Sequence, residues 1–192
     1  MSIALSGPAP WYATNGPGLW YATRATGLVT LLLLTVTMLL GIITAGRFAS
    51  EKWPRFVTVG LHRNVTLLVL VFLALHVGTT VLDAYTSIPA AAAVIPFASS
   101  YKTPWLGLGA VAVDLLIAVL VTSLFRSRLG FRAWRGLHWL AYACWPVALA
   151  HGLGTGTDRR TVWVFAATLG CIAAVAAAAT WRLAAASRAG AR

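Results

Sequence analysis

Leu61-His62-Arg63-Asn64-Val65-Thr66-Leu67-Leu68-Val69-Leu70-Val71-Phe72-Leu73-Ala74-Leu75-His76-Val77-Gly78 carries two histidines, fourteen residues apart, separated by an almost unbroken apolar run. A run of about 20 such residues spans roughly 30 Å of hydrocarbon when wound as a helix. In lipid every backbone N–H and C=O must be satisfied within the chain, which favours helices over an open sheet. An ionisable side chain in such a segment is costly and usually faces the bundle interior, where it marks an ion path, a proton relay or a cofactor. The stretch therefore predicts a membrane helix that carries chemistry.

The rest of the chain repeats the pattern. Of its 192 residues, 59% are hydrophobic and 10% charged, a balance suited to a bilayer and not to water. Five stretches read as spans: Tyr21–Ala45, Val59–Leu82, Trp105–Phe125, Leu137–Gly154 and Val162–Trp181. The expected fold is all-α, an integral membrane bundle of five transmembrane helices forming one domain over residues 1–192. The longest connection, Asp83–Pro104, holds Pro89, Pro96 and an alanine run, and predicts a loop along the membrane surface. Met1-Ser2-Ile3-Ala4 has no basic n-region and the first charge is Arg24, so a cleavable signal is not expected. Cys144 and Cys171 fall inside spans without a C-x-x-C or C-x-x-C-H pattern, which leaves them as small packing residues.

The net charge of +11 does not point to nucleic acid, because the cations sit in short connections and not on one amphipathic face. Eleven of the fifteen share one side: Arg47, Lys52, Arg55 and Arg63, then Arg126, Arg128, Arg132 and Arg135, then Arg182, Arg188 and Arg192. The other side has Arg24, Lys102, Arg159 and Arg160. Cations accumulate in cytoplasmic connections, so the N-terminus is expected outside and the C-terminus in the cytoplasm. Trp20, Trp105 and Trp163 at outer ends, and Trp53, Trp134 and Trp181 at inner ends, fit an aromatic belt.

All four histidines, His62, His76, His138 and His151, lie on the second and fourth spans, two per span. Separations of fourteen and thirteen residues spread each pair over about 20 Å, one in each leaflet. Both spans run outward from the cytoplasm, so His62 is level with His138 and His76 with His151. A planar macrocycle between two such helices takes one neutral imidazole on each face of its iron, a closed coordination suited to electron transfer. Two such cofactors stacked across the membrane make a wire, along which an outward electron gains roughly 2.3 kcal/mol per 100 mV. Fourteen residues return within about 40° of the starting face, but thirteen fall about 140° short. The fourth span therefore needs a local distortion, expected at Pro146.

Leu61-His62-Arg63 with His76, and Trp134-Arg135-Gly136-Leu137-His138 with His151-Gly152, resemble the ferric reductase-like transmembrane domain, found in the membrane parts of ferric reductases and NADPH oxidases. The resemblance covers nearly the whole chain. It implies one haem b between His62 and His138, a second between His76 and His151, and transmembrane electron flow. No Gly-rich dinucleotide motif follows the fifth span, so flavin and nicotinamide domains are not expected. Electrons are then expected from a separate flavoprotein reductase or quinol, for an extracytoplasmic acceptor. The compact form is also similar to the haem-bearing membrane subunit of bacterial methionine sulfoxide reductase systems, which implies a bacterial plasma membrane.

Other residues carry weaker signals. Arg63, Arg132 and Arg135 near the inner pair, and Arg24, Lys102, Arg159 and Arg160 near the outer, are candidates for haem propionates. Arg24 is the most informative, because topology does not call for a cation there. Asp114, inside the third span, reads as a hydrogen-bond partner for Thr35 or Thr37, or as a proton-carrying site. Gly78, Gly136 and Gly152 can make room for a flat ring. Zinc is disfavoured, since no clustered Cys or carboxylate completes a four-ligand site. A histidine-based proton or metal-ion carrier, and a non-redox assembly partner, are the alternative functions.

Overall fold

The computed structural model describes residues 18–46, 53–83, 86, 88–158 and 161–190. Apolar sequence with internally satisfied backbone gives helices in chain order: α1 (Gly18–Ala45), α2 (Arg55–Leu82), a 3₁₀ turn (Ala90–Ala93), α3 (Thr103–Leu124), α4 (Arg126–Leu129), α5 (Phe131–His138), α6 (Leu140–Thr155) and α7 (Val162–Gly190). Four of them, α1, α2, α3 and α7, are long and apolar enough to cross a membrane. The stretch read as the fourth span is divided, because His138 closes α5 and the sixteen residues from Leu140 form α6. At 1.5 Å per residue α6 is about 24 Å long, short of the roughly 30 Å of hydrocarbon.

Local chemistry sets the boundaries. Pro54, extended at φ −71° and ψ 152°, stands just before α2, and Pro104 sits in the first turn of α3, where a missing N–H costs no helical bond. Between them the chain folds back onto α3, with Ile88 and Ala92 buried and Val94 and Ile95 exposed. Phe97 there has φ 65°, and its ring covers Gly107 so closely that a Cβ at 107 would stand 2.2 Å from Cδ1. Lys102 Nζ donates to the Thr155 carbonyl at 3.0 Å, a cation on the negative end of α6.

α2 lies along α1, α3 lies along α6, and α1 joins the two halves by touching α6 and α7. Lipid gives helices no hydrophobic reason to associate, so small residues and interhelical hydrogen bonds carry the packing. Thr23 and Thr79 share a 2.9 Å bond between α1 and α2. The buried Trp145 indole on α6 donates to Thr35 Oγ1 on α1 at 2.9 Å. Cys144 Sγ donates to the Ala112 carbonyl of α3 at 3.4 Å; Cys144 and Cys171 are buried free thiols. Leu67, Leu68, Val71 and Leu75 of α2 are exposed, the outward apolar face that a helix presents to lipid.

Candidate functional site

The histidines meet in two pairs across the gap between the two halves. His62 of α2 faces His138 at the end of α5, ring centroids 6.4 Å apart and planes at 64°. Farther along α2, His76 faces His151 of α6 at 6.3 Å and 78°. A cavity of about 450 Å³ surrounds the second pair, lined also by Leu34, Val69, Gly109 and Gly152. Among the described residues no group of three His, Cys, Asp or Glu side chains is placed to hold a metal ion.

Three of the rings are fixed from behind by backbone carbonyls. His62 Nδ1 lies 3.1 Å from the Thr37 oxygen, His76 Nδ1 2.8 Å from that of Thr23, and His151 Nδ1 2.8 Å from that of Trp105. A carbonyl only accepts, so in each ring Nδ1 carries the proton and Nε2 keeps its lone pair. A half-buried imidazole with an oriented, unprotonated Nε2 is prepared to bind a metal. His138 differs: its Nδ1 is buried with no partner, and its ring packs on Trp134 at 5.1 Å between centroids. Trp134 is itself held by a 3.2 Å bond from Nε1 to Ser123 Oγ of α3.

The same three rings lean on glycines that sequence reasoning missed. A Cβ at Gly27 would stand 2.8 Å from His76 Cε1, one at Gly41 3.6 Å from His62 Cε1, and one at Gly109 2.6 Å from His151 Cε1. Gly27 and Gly41 are fourteen residues apart on α1, the same spacing as His62 and His76 on the antiparallel α2. That matched spacing was the available signal. Beside Gly78, Gly136 and Gly152, singled out from the sequence, there is open space.

The distortion expected at Pro146 lies elsewhere. Trp139 N–H donates to the Gly136 carbonyl at 3.2 Å and Tyr142 N–H to that of Trp139 at 3.0 Å, a tight i→i+3 turn directly after His138, while Pro146 sits inside α6. Tighter winding advances each residue by about 120° in place of 100°, recovering part of the angular deficit between His138 and His151. Proline acts one turn upstream, since its ring crowds the carbonyl four residues before it, here that of Tyr142.

The cations are distributed unevenly. Arg24 lines the cavity with His76 and His151, pairs with the Asp158 carboxylate, donates to the Thr157 hydroxyl and lies 4.7 Å over Trp20. Arg63 and Arg132 are exposed, and Arg135, also exposed, lies 5.9 Å over Phe131. Arg159 and Arg160 lie outside the described residues, as do Arg47, Lys52 and Arg192. Asp114 is half-buried on α3 and makes no hydrogen bond to either threonine expected for it. Thr35 Oγ1 accepts from Trp145, and Thr37 Oγ1 is buried without a partner.

Residues 26–149 match the family model described as ferric reductase like transmembrane component. The chain belongs to this family. The match takes in His62, His76 and His138 and stops two residues before His151. This ferric reductase-like component is a multi-pass membrane protein, and its family indicates transmembrane electron transfer in general. Comparisons with curated proteins and with solved structures gave no match.

Proposed function

We propose that the ferric reductase-like component carries electrons across a bacterial plasma membrane through two b-type haems, from a cytoplasmic flavoprotein or quinol to an extracytoplasmic acceptor. In this reading the chain is one membrane domain of five spans, α6 completing the fourth, with the N-terminus outside and the C-terminus in the cytoplasm. The observation that carries it is the separation within the pairs. Two imidazoles bonded at about 2 Å to opposite sides of one metal, each ring centre about 1.1 Å behind its nitrogen, would have centroids about 6.2 Å apart. The facing rings stand at 6.4 and 6.3 Å.

His62 and His138 would hold the inner haem, His76 and His151 the outer. Bound there, the haems supply one-electron centres, one in each leaflet. The carbonyls of Thr37, Thr23 and Trp105 orient three of the rings, and Gly27 on α1 and Gly109 on α3 leave the space that the rings of His76 and His151 occupy. Arg24 would meet anionic propionates at the outer end, and Arg63 and Arg135 at the inner.

The test is the dithionite-reduced minus oxidised spectrum of the purified protein, with pyridine haemochrome quantification. Two haems b per chain are expected. His76→Ala or His151→Ala is expected to halve the haem content by removing the outer centre. Unchanged content would refute the ligand assignment, and a haem-free protein would transfer the histidines to the carrier reading.

A further inference from the structure

Arg182 of α7 lies outside residues 26–149, the stretch that matches the family, yet it reaches the part of the chain that carries His138. Its Nη1 donates to the Tyr142 hydroxyl oxygen at 2.6 Å, and its guanidinium lies 5.4 Å over the Trp139 ring and 5.7 Å over that of Tyr142. Those two rings pack on each other at 4.9 Å with their planes at 34°. Their backbone makes the joint between α5 and α6, where Trp139 N–H donates to the Gly136 carbonyl and Tyr142 N–H to that of Trp139. One planar cation therefore engages both residues of the turn that separates His138 from His151.

The preceding residue ties the same point of α7 to α1. The Trp181 ring covers Gly46 so closely that a Cβ there would stand 2.9 Å from Cη2 and Cζ3. Gly46 directly follows α1, whose Thr37 carbonyl and Gly41 stand behind His62. The inner end of α7 is thus joined to both sides of the inner pair, through Trp181 to the helix behind His62 and through Arg182 to the turn beside His138. His138 has no partner at Nδ1, so its ring takes its direction from the backbone that carries it and from the Trp134 ring it packs on. A cation needed only for membrane orientation requires no such geometry, since any Lys or Arg at a helix end serves. A guanidinium that hydrogen-bonds one ring and lies over two is not replaced by an ammonium.

We propose that Arg182 is a positioning residue for the inner centre. It fixes the joint at Trp139 and Tyr142, and through the joint it sets the depth and the plane angle at which His138 faces His62. This rests on the two-haem reading above and keeps both histidines as ligands.

The experiment is low-temperature electron paramagnetic resonance of the oxidised holoprotein, with pyridine haemochrome quantification beside it. The lowest-field g value of a ferric centre held by two imidazoles depends on the angle between their planes, so each centre reports on its own pair. In Arg182→Ala one signal is expected to move or disappear and the other to stay. The same change is expected in the His76→Ala background, where the inner centre alone remains. Arg182→Lys, which keeps the charge, is expected to act as Arg182→Ala does, and Tyr142→Phe, which removes the acceptor and keeps the ring, to give a smaller shift. An Arg182→Lys protein with unmoved signals would reduce Arg182 to a topological cation and overturn the inference. Two unmoved signals in Arg182→Ala, or a change that is absent in the His76→Ala background, overturn it as well. Should Arg182→Ala fail to fold, unmoved signals in both Arg182→Lys and Tyr142→Phe overturn it. Each of these results leaves the two-haem reading standing, whereas fewer than two haems in the unaltered protein removes both together.

Discussion

At Gly109 one added carbon would stand 2.6 Å from Cε1 and Nδ1 of His151, at Gly27 2.8 Å from Cε1 of His76, and at Gly41 3.6 Å from Cε1 of His62. The first two distances force the ring to move, and the third is ordinary van der Waals contact. Overpacking of this kind costs about 1–3 kcal/mol, here concentrated on the orientation of one ring. Gly109→Ala is therefore expected to lose most of the outer haem, Gly27→Ala somewhat less, and Gly41→Ala little, as counted by pyridine haemochrome. Equal retention in all three would show that the rings do not depend on these glycines. The histidine pairs were legible from spacing alone, because depth along a straight helix follows directly from residue count. The glycines beneath them were not, because glycine is frequent in membrane helices and its partner is known only once two helices are packed. The carbonyls of Thr23, Thr37 and Trp105 were equally hidden, being backbone groups that any residue type supplies.

Among the helices, α1 decides the arrangement, since it touches α2, α6 and α7. Its link to α6 is the buried 2.9 Å bond from Trp145 to Thr35. Thr35→Val removes the acceptor at nearly constant volume and leaves the indole N–H unpaired. Interhelical bonds in membranes are worth about 0.6 kcal/mol on average and about 1.7 at most, so a loss in that range is expected in detergent-titrated unfolding. No measurable loss would mean that the indole finds another acceptor. The apolar runs showed α1, α2 and α3 to within about four residues at each end and the start of α7, which continues nine residues past the expected end at Trp181 to Gly190. They did not show the division of the fourth stretch, because the bonds that make it, from Trp139 to Gly136 and from Tyr142 to Trp139, depend on local winding and leave no compositional mark. The sequence pointed to a distortion between His138 and His151, and the tight turn lies at Trp139, upstream of Pro146.

Across the whole molecule, the charge distribution and the length of α6 make competing statements about topology. Eleven of the fifteen cations belong to one side only if α6 crosses the membrane, whereas its sixteen residues give about 24 Å, less than an average bilayer core. A shortfall of that size is accommodated by local thinning at modest cost, fractions of a kcal/mol per Å, and Trp134 and Trp139 at its entrance are suited to the interface. Reporter fusions after Gly130 and after Gly190 are both expected to read cytoplasmic, and a fusion after Ser100 exterior. A Gly190 fusion on the exterior would mean that α6 does not cross and that the chain has four spans.

The division at Trp139 also gives the two sides of the site different mechanical characters. On one side, His62 and His76 are set into a single continuous helix, and Gly41 and Gly27 on α1 repeat their interval. That side is a rigid rail whose rungs cannot change spacing. On the other, His138 and His151 sit on opposite sides of a joint. A change in the winding at Trp139 would therefore alter the distance between His138 and His151 while leaving that between His62 and His76 unchanged.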